Sequence, residues 1–223
     1  MTAPRPPTAG ERVAYRAVRA VVVGFCRLFW RLSVAGRGNV PATGPFILSP
    51  VHRSNIDTPL VAAVTRRRLR FMGKAEVWTY RPVAWSLTAL GGFPVRRGSA
   101  DREAMRTCEA VLAGGEPLVL FPEGTRREGL VVADLHRGAA WLAARAQVPI
   151  VPVGIGGSAR AMPKGSRMLR PVRVHLEIGP ALVPPAPGPG ARVARRDVED
   201  FDARLRAELQ RLFDVARQAV GEP

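Results

Sequence analysis

The sequence predicts an α/β fold: a single domain with a mostly parallel mixed sheet flanked by helices, preceded by an N-terminal amphipathic helix. Short apolar runs alternate with stretches of helical spacing through the middle of the chain. This alternation is typical of strands that are joined by helices into a parallel sheet. The length of 223 residues, with 47% hydrophobic residues, suits one domain with a full hydrophobic core.

Composition and apolar spacing divide the chain into five parts. They are a loose N-terminus at 1–10, an amphipathic membrane-associating helix at 11–34, an α/β domain at 35–183, a Pro- and Gly-rich linker at 184–196, and an amphipathic helix packed on the domain at 197–220. Within the domain, apolar runs predict strands at 46–48, 69–72, 93–95, 118–121, 150–155 and 172–178. Helical spacing predicts helices at 59–65, 83–90, 101–113 and 138–146.

The N-terminal helix has arginine on one side and apolar residues on the others. The arginines that share about one third of its helical wheel are Arg12, Arg16, Arg19, Arg27 and Arg31. Its longest uncharged stretch, 20–26, is far shorter than the about 20 residues that span a bilayer. The pattern predicts a helix that lies in a membrane interface, so we expect a peripheral or monotopic protein at the cytoplasmic face of the cell membrane. The alternative is that its apolar face packs on the domain's own core.

Charge and cysteine usage restrict the possible partners. The formal net charge is +16, which favours anionic partners such as phosphates, an anionic membrane surface or an acidic carrier protein. No nucleic-acid-binding motif is present, so we expect no nucleic acid. Cys26 and Cys108 have neither metal-ligand nor disulfide spacing. We therefore expect a reducing, cytoplasmic environment and no metal.

The segment Ser49–Pro59 carries the first candidate for chemistry. His52 and Asp57 follow an apolar strand and precede a helix. Residues five apart on a regular helix point about 140° away from each other, so these two side chains meet only if the segment is irregular. A carboxylate on one ring nitrogen orients a histidine and supports its protonated form, which leaves the other nitrogen as a general base for a hydroxyl. The alternative is that Asp57 is a helix N-cap and His52 a loop histidine.

Three further blocks follow in the sequence. The block 91–98 has a glycine turn, a short strand and the two arginines Arg96 and Arg97, of which only one should face a given pocket. The block 118–127 leads a buried strand into Pro-Glu-Gly-Thr-Arg, and ligands of open α/β sheets bind beyond the carboxyl ends of strands. The alternative for this block is a charged turn in which Glu123 pairs with Arg126. The block 148–154 is an apolar strand that contains two prolines and by itself indicates core.

Together and in this order, the four blocks resemble the PlsC-type glycerolipid acyltransferase family, and in particular its 1-acyl-sn-glycerol-3-phosphate acyltransferase branch. The resemblance covers about residues 35–180. It departs from the family where Val51 replaces an asparagine before His52. It departs again where His136 and Arg137 stand at a position that is often lysine.

The resemblance implies a role for each matching residue. His52 is the expected base and Asp57 the carboxylate that orients it. The residues expected to bind the acceptor phosphate are Arg97, Glu123, Gly124, Thr125 and Arg126, with Lys74 as a further candidate from the segment Phe71–Glu76. Pro149 and Pro152 are expected to shape the apolar side of the site. No cofactor is implied beyond acyl-CoA or acyl-ACP, the acyl donor that acts as co-substrate.

The implied reaction moves a fatty acyl group from that thioester to the free hydroxyl of 1-acyl-sn-glycerol-3-phosphate, also called lysophosphatidic acid, giving phosphatidic acid. An acyltransferase of the same family that acts on another lysolipid or a glycolipid is the first alternative. A non-enzymatic membrane-binding protein on the same scaffold is the second. A hydrolase is disfavoured because no Gly-x-Ser-x-Gly turn appears in the sequence.

Overall fold

The sheet confirms the predicted fold class. The structure, a computed structural model, describes residues 8–89, 91–95, 101–188 and 193–222. Within them lie the strands β1 (Ser33–Ala35), β2 (Ile47–Pro50), β3 (Arg70–Lys74), β4 (Gly92–Val95), β5 (Leu118–Val119), β6 (Ile150–Gly156) and β7 (His175–Ile178). They form one sheet in the order β1-β7-β6-β2-β5-β3-β4. Neighbouring strands are parallel except β6 and β7, which are antiparallel.

Helices connect and cover these strands. They are α1 (Ala9–Phe29), α2 (Asp57–Val61), α3 (Arg81–Ala89), α4 (Asp101–Ala113), α5 (Gly138–Ala146), α6 (Ser158–Ala161) and α7 (Arg195–Ala219), with short 3-10 helices at Arg37–Asn39 and Ala75–Thr79. Helix α1 packs against α2 and α3, whereas α7 packs against β6 and α5. The core lies between the sheet and these helices and is built from fully buried apolar side chains such as Phe46, Leu118 and Ile150.

The first helix is shorter than the sequence indicated. Thr8 and Glu11 form a capping box that fixes its start, since each side chain bonds the other residue's backbone N–H at 3.2 and 2.8 Å. It ends at Phe29 instead of 34, because Arg31 adopts a left-handed backbone conformation with φ of 47°. The chain then enters β1, a strand at the sheet edge that pairs with β7 and that the sequence did not predict.

Helix α1 divides its apolar residues between two environments. Tyr15, Val23 and Cys26 are buried, whereas Val21 and Leu28 are 73% and 85% exposed. Part of the helix therefore packs on the core, and another part of its apolar surface faces outward. Among the described helices, none combines the length and apolar character needed to cross a membrane. Its placement in a membrane interface stays a prediction.

Helix α7 lies unusually close to the middle of the sheet. It carries a buried stripe of Val198, Phe201, Leu205, Leu209, Leu212, Phe213 and Ala216. Side chains added at Gly154 or Gly156 of β6 would overlap the helix backbone at Leu212 and Ala216. The two glycines therefore allow the backbones of β6 and α7 to touch, which fixes α7 over the strand next to β2.

Candidate active site

The sequence blocks converge at one edge of the sheet. Strands β2, β5, β3 and β4 are adjacent and parallel, so their carboxyl ends lie side by side. His52 follows β2, the Pro-Glu-Gly-Thr-Arg turn follows β5, and Lys74 is the last residue of β3. Arg97 follows β4 in the sequence but lies outside the described residues, as does Arg96. Its phosphate-binding role stays a prediction.

His52 and Asp57 meet, and the segment between them is irregular. The Nδ1 atom of His52 lies 3.0 Å from Oδ2 of Asp57. Residues 51–56 are irregular, with a bend at Ser54 and a turn at 55–56, and this brings the two side chains onto the same side. The imidazole side chain is 17% exposed, whereas Asp57 is fully buried. Because Nδ1 is held by the carboxylate, Nε2 is the ring nitrogen available to a hydroxyl group.

The Asp57 carboxylate is fixed by the turn that it closes. Its Oδ2 atom accepts hydrogen bonds from the backbone N–H groups of Arg53 and Ser54, both at 2.7 Å. Asp57 lies in the first turn of α2, whose N-cap is Ile56, so it does not act as the N-cap residue. Its carboxylate points back to the preceding turn, which excludes the alternative in which it caps the helix. The two backbone N–H groups and the imidazole therefore hold this oxygen in a fixed position beside the ring.

A buried ion pair, which sequence reasoning missed, joins the segment Ser49–Pro59 to the block 118–127. Nη1 of Arg53 lies 2.7 and 2.8 Å from the two carboxylate oxygens of Glu123, and both residues are buried. Glu123 also accepts a hydrogen bond from the backbone N–H of His52 at 3.1 Å. The guanidinium of Arg53 lies over the Phe213 ring of α7, 4.7 Å from its centroid. The pair thus holds the backbone at His52 against the loop that follows β5 and against α7.

This pairing changes two expectations for Glu123. Its partner is Arg53 rather than Arg126, and both of its oxygens are engaged by protein groups. Since the side chain is fully buried, it does not face a substrate phosphate as the resemblance implied. Glu123 positions the turn that carries His52. The signal for this ion pair in the sequence was weak, because nothing there distinguishes Arg53 from the other arginines among the 34 basic residues.

Other residues of the block 118–127 lie beside the imidazole ring of His52. The ring of Phe121 stacks on that of His52 with 4.1 Å between centroids and an interplanar angle of 27°. The backbone N–H of Arg127 donates to the carbonyl of His52 at 2.9 Å. Gly124 and Thr125 are exposed, and Arg126 is half-buried. The turn therefore presents a backbone, a hydroxyl and a cation next to the dyad of His52 and Asp57.

His136 and Arg137 stand where the family often has a lysine. Of these two residues, only His136 lies beside the turn that follows β5. Its backbone N–H bonds the carbonyl of Pro122 at 2.8 Å, and its ring lies against Gly124. A side chain at Gly124 would overlap that ring, and φ of 66° there also favours glycine. Arg137 instead pairs with Glu199 of α7 at 2.7 Å. Its guanidinium is directed to the C-terminal helix.

Pro149 and Pro152 lie at different distances from the dyad along β6. Pro149 precedes β6, and its carbonyl accepts from the N–H of Ile47 at 2.9 Å. By the register of β2 and β6, this places it about six residues, or roughly 20 Å, from His52 along the strand direction. Pro152 is buried in β6, beside Gly179, and it pairs with Ser49 of β2, three residues before His52. Pro149 therefore lies away from the dyad, whereas the role of Pro152 on the apolar side of the site stays a prediction.

The described residues offer neither a cluster of metal ligands nor a reactive thiol. Within 8–89, 91–95, 101–188 and 193–222, no three His, Cys, Asp or Glu side chains converge to hold a metal ion. The expectation of a reaction without metal stays a prediction. Burial raises the pKa of Cys26 to about 11 and that of Cys108 to about 12, so neither thiol is an activated nucleophile.

Comparison with known proteins adds an independent line of evidence. A protein named 1-acyl-sn-glycerol-3-phosphate acyltransferase from Chlamydomonas reinhardtii is 30% identical over 162 residues, which cover 70% of this chain and 48% of that protein. A protein of the same name from Streptococcus pneumoniae is 28% identical over 94% of this chain and 76% of its own length. The chain spans about half the length of the Chlamydomonas relative.

Structural comparison supports the same fold. The crystal structure titled as the 1-acyl-sn-glycerophosphate acyltransferase PlsC from Thermotoga maritima superposes with a TM-score of 0.72 at 24% identity, covering 97% of this chain and 82% of that one. The model of the family described as Acyltransferase matches residues 31–156, more than half of the chain. That range includes the dyad, the Arg53–Glu123 pair and the turn after β5. The chain therefore belongs to the Acyltransferase family, and the PlsC-type resemblance of its four blocks is confirmed.

Proposed function

We propose that the protein transfers a fatty acyl group from the thioester of acyl-CoA or acyl-ACP to the free hydroxyl of 1-acyl-sn-glycerol-3-phosphate, which gives phosphatidic acid. The observation that carries the proposal is the dyad: His52 Nδ1 lies 3.0 Å from a fully buried Asp57 carboxylate. The names of the relatives from Chlamydomonas and Streptococcus support the choice of substrate.

The chemistry needs a base and positioning rather than a covalent enzyme intermediate. Nε2 of His52 takes the proton of the acceptor hydroxyl as its oxygen attacks the thioester carbonyl carbon. The carbon–oxygen bond forms, the carbon–sulfur bond breaks, and the leaving thiolate takes the proton back from the imidazolium. Asp57 holds the ring orientation and stabilises the positive charge that forms on it. A thioester is already activated, so proton removal and alignment of the reactants can supply much of the acceleration.

The acceptor phosphate is proposed to lie beside the turn after β5. Arg126 is half-buried there and Thr125 is exposed, so a guanidinium and a hydroxyl are offered from the same turn. Gly124 lets the backbone approach a ligand closely. Arg97 and Lys74 are the further cations that the family resemblance implies for this phosphate. A guanidinium suits the group because its planar fork can bond two phosphate oxygens at once.

The test compares two histidines that have the same kind of partner. His52 and His175 each lie 3.0 Å from a carboxylate, but His175 is on β7, on the far side of β6 from β2. With lysophosphatidic acid and acyl-CoA, His52→Ala is expected to lower kcat by about 100- to 10,000-fold. His175→Ala is expected to keep activity near that of the wild type. Comparable turnover by His52→Ala and the wild type would remove His52 as the base.

A panel of acceptors and donors then settles the finer assignment. The proposal expects turnover of lysophosphatidic acid and little turnover of acceptors without a phosphate monoester. If only an unphosphorylated glycolipid or another lysolipid is acylated, the acyltransferase assignment stands but the acceptor is wrong. Vesicle binding without turnover of either thioester would favour the non-enzymatic alternative and contradict the proposal.

A further inference from the structure

An arginine-rich cleft lies away from the dyad. It has a volume of about 480 Å³ and is formed by α1, the segment 40–42 before β2 and the segment 63–67 after α2. Its charged lining consists of Arg19, Arg27, Arg37, Arg66 and Arg67. Among the described residues that line it, none is Asp or Glu. The cleft therefore gathers five positive charges without a carboxylate in its wall.

Backbone carbonyls fix these arginines without neutralising them. Arg19 donates from Nε to the carbonyls of Ala62 and Thr65, both at 2.9 Å. Arg37 donates to the carbonyl of Ala63 at 3.3 Å, and Arg67 to that of Pro41 at 3.0 Å. A carbonyl orients a guanidinium but carries no net charge. The guanidinium positions are thus partly set in advance while their positive charge is retained.

The arginines repel each other inside the cleft. Burial lowers the pKa of the Arg19 guanidinium, and the nearby charges of Arg66 and Arg37 lower it further. Arginine stays protonated at neutral pH, so the repulsion is not relieved by loss of a proton. A bound anion would relieve it. Several guanidinium forks that converge on one cavity match the tetrahedral oxygens of a phosphate group.

The surroundings of the cleft indicate where that phosphate comes from. Gly24 lines the cleft, and Leu28 follows it one helical turn later on the same side of α1. Leu28 is 85% exposed and Val21 is 73% exposed. Outward-facing apolar side chains next to a cationic cleft suit a lipid, whose acyl chains lie beside its charged headgroup. We propose that this cleft binds the phosphate of an anionic lipid headgroup.

The proposed site is separate from the one that would hold the acceptor. The cleft flanks the amino end of β2 through residues 40–42, whereas His52 follows the carboxyl end of that strand. The inference therefore goes beyond the acyl transfer proposed above and does not depend on it. It assigns a second lipid contact to α1, made by a defined pocket in addition to the general attraction of the basic surface.

Two glycines of α1 allow a charge to be added inside or outside the cleft. A Cβ atom at Gly24 or at Gly10 meets no heavy atom within 4 Å. Gly24→Glu would place a carboxylate among the arginines, where it would compete with a phosphate. Gly24→Gln has nearly the same shape without the charge, and Gly10→Glu gives the same net charge as Gly24→Glu outside the cleft. Replacing a helix-interior glycine favours the helix, so folding should be retained.

Binding of the full-length variants to vesicles of phosphatidylcholine with and without phosphatidic acid is the measurement. Gly24→Glu is expected to weaken binding to the phosphatidic acid vesicles about fivefold relative to Gly24→Gln, whereas Gly10→Glu changes it much less. Equal binding of Gly24→Glu and Gly24→Gln would overturn the proposal. If vesicle binding is equal but inorganic phosphate raises the Tm of Gly24→Gln alone, the cleft takes a soluble phosphate and the lipid assignment is wrong.

Discussion

At the scale of single residues, the ion pair of Arg53 and Glu123 sets the position of the dyad. Removing two charges from water costs free energy, which is compensated only where the partners saturate each other. Here the carboxylate accepts from Arg53, from His52 N–H and, at 3.4 Å, from Ala133 N–H. The pair therefore orders the turn around His52 more than it adds net stability.

Removing one partner of this pair should lower the free energy of unfolding strongly, whereas removing both partners should lower it less than the sum of the two single changes. Arg53→Met or Glu123→Gln alone leaves one buried group unpaired and is expected to lower the free energy of unfolding by about 3–5 kcal/mol. The double variant is expected to lose clearly less than the sum of the two. Urea unfolding of the wild type and the three variants gives the coupling energy directly.

An exposed pair of the same length is the control for this cycle. Arg137 and Glu199 also approach to 2.7 Å, but their side chains are 57% and 39% exposed. Their coupling energy is expected to be about 1 kcal/mol or less. Equal coupling energies for the buried and the exposed pair would contradict the role assigned to Arg53 and Glu123.

The contrast between His52 and Arg53 shows what the sequence can reveal about single residues. His52 and Asp57 were predictable, because histidine is rare in this chain and its five-residue spacing from an aspartate, bounded by prolines, indicates an irregular turn. Arg53 was not, because burial of an arginine depends on a glutamate 70 residues later that reaches it only through the pairing of β2 with β5. The spacing of residues along the chain does not predict the contact between Arg53 and Glu123.

At the scale of elements, the contact of β6 with α7 fixes how the C-terminal helix lies on the sheet. The glycines at 154 and 156 point toward the helix backbone, so no side chain separates the two elements there. The contact between the backbones of β6 and α7 cannot be inferred from the apolar spacing of α7. That spacing predicts that the helix packs on the domain but does not predict the strand on which it packs. The interior glycines of a strand were the available signal, since they often mark a close approach of another backbone.

Substitution at these glycines provides a sharp test of the packing. Gly154→Ala places a methyl group into the backbone of α7 at Leu212, so the helix must shift and lose contacts. We expect the free energy of unfolding to fall by about 1–3 kcal/mol, the usual cost of overpacking a core. Gly24→Ala, which meets open space in the middle of α1, is expected to raise it by about 0.5–1 kcal/mol. Urea unfolding midpoints compare the two, and a neutral Gly154→Ala would argue against direct backbone contact.

The start of the chain shows why some elements escaped prediction. The spacing of arginines and apolar residues predicted one helix to 34, whereas the structure ends it at Phe29 and pairs Ser33–Ala35 with β7. A three-residue edge strand has too few positions to display alternation, and its hydrogen bonds go to a strand about 140 residues away. The middle strands were predictable because their apolar runs are buried on both faces.

At the scale of the whole molecule, α1 joins two surfaces of different character. Its inner side chains Tyr15, Val23 and Cys26 belong to the protein core or contact it, and its outer ones, including Val21 and Leu28, do not. The Tyr15 hydroxyl also donates to the carbonyl of Arg67 at 3.0 Å, which ties the helix to the segment before β3. The helix is therefore part of the folded domain and not an attachment to it.

Deleting residues 1–29 should consequently damage the domain itself. Burying a large apolar side chain contributes about 1.5–3 kcal/mol, and α1 supplies the buried side chains Tyr15, Val23 and Cys26 to a fold whose total stability is expected to be about 5–15 kcal/mol. We expect the shortened chain to lose its cooperative urea transition. In contrast, Val21→Ser with Leu28→Ser alters only exposed positions, so its unfolding midpoint should stay near that of the wild type while its binding to anionic vesicles falls. A shortened chain that unfolds cooperatively at the wild-type midpoint would show that α1 is a detachable anchor, and the double role assigned to it here would be wrong.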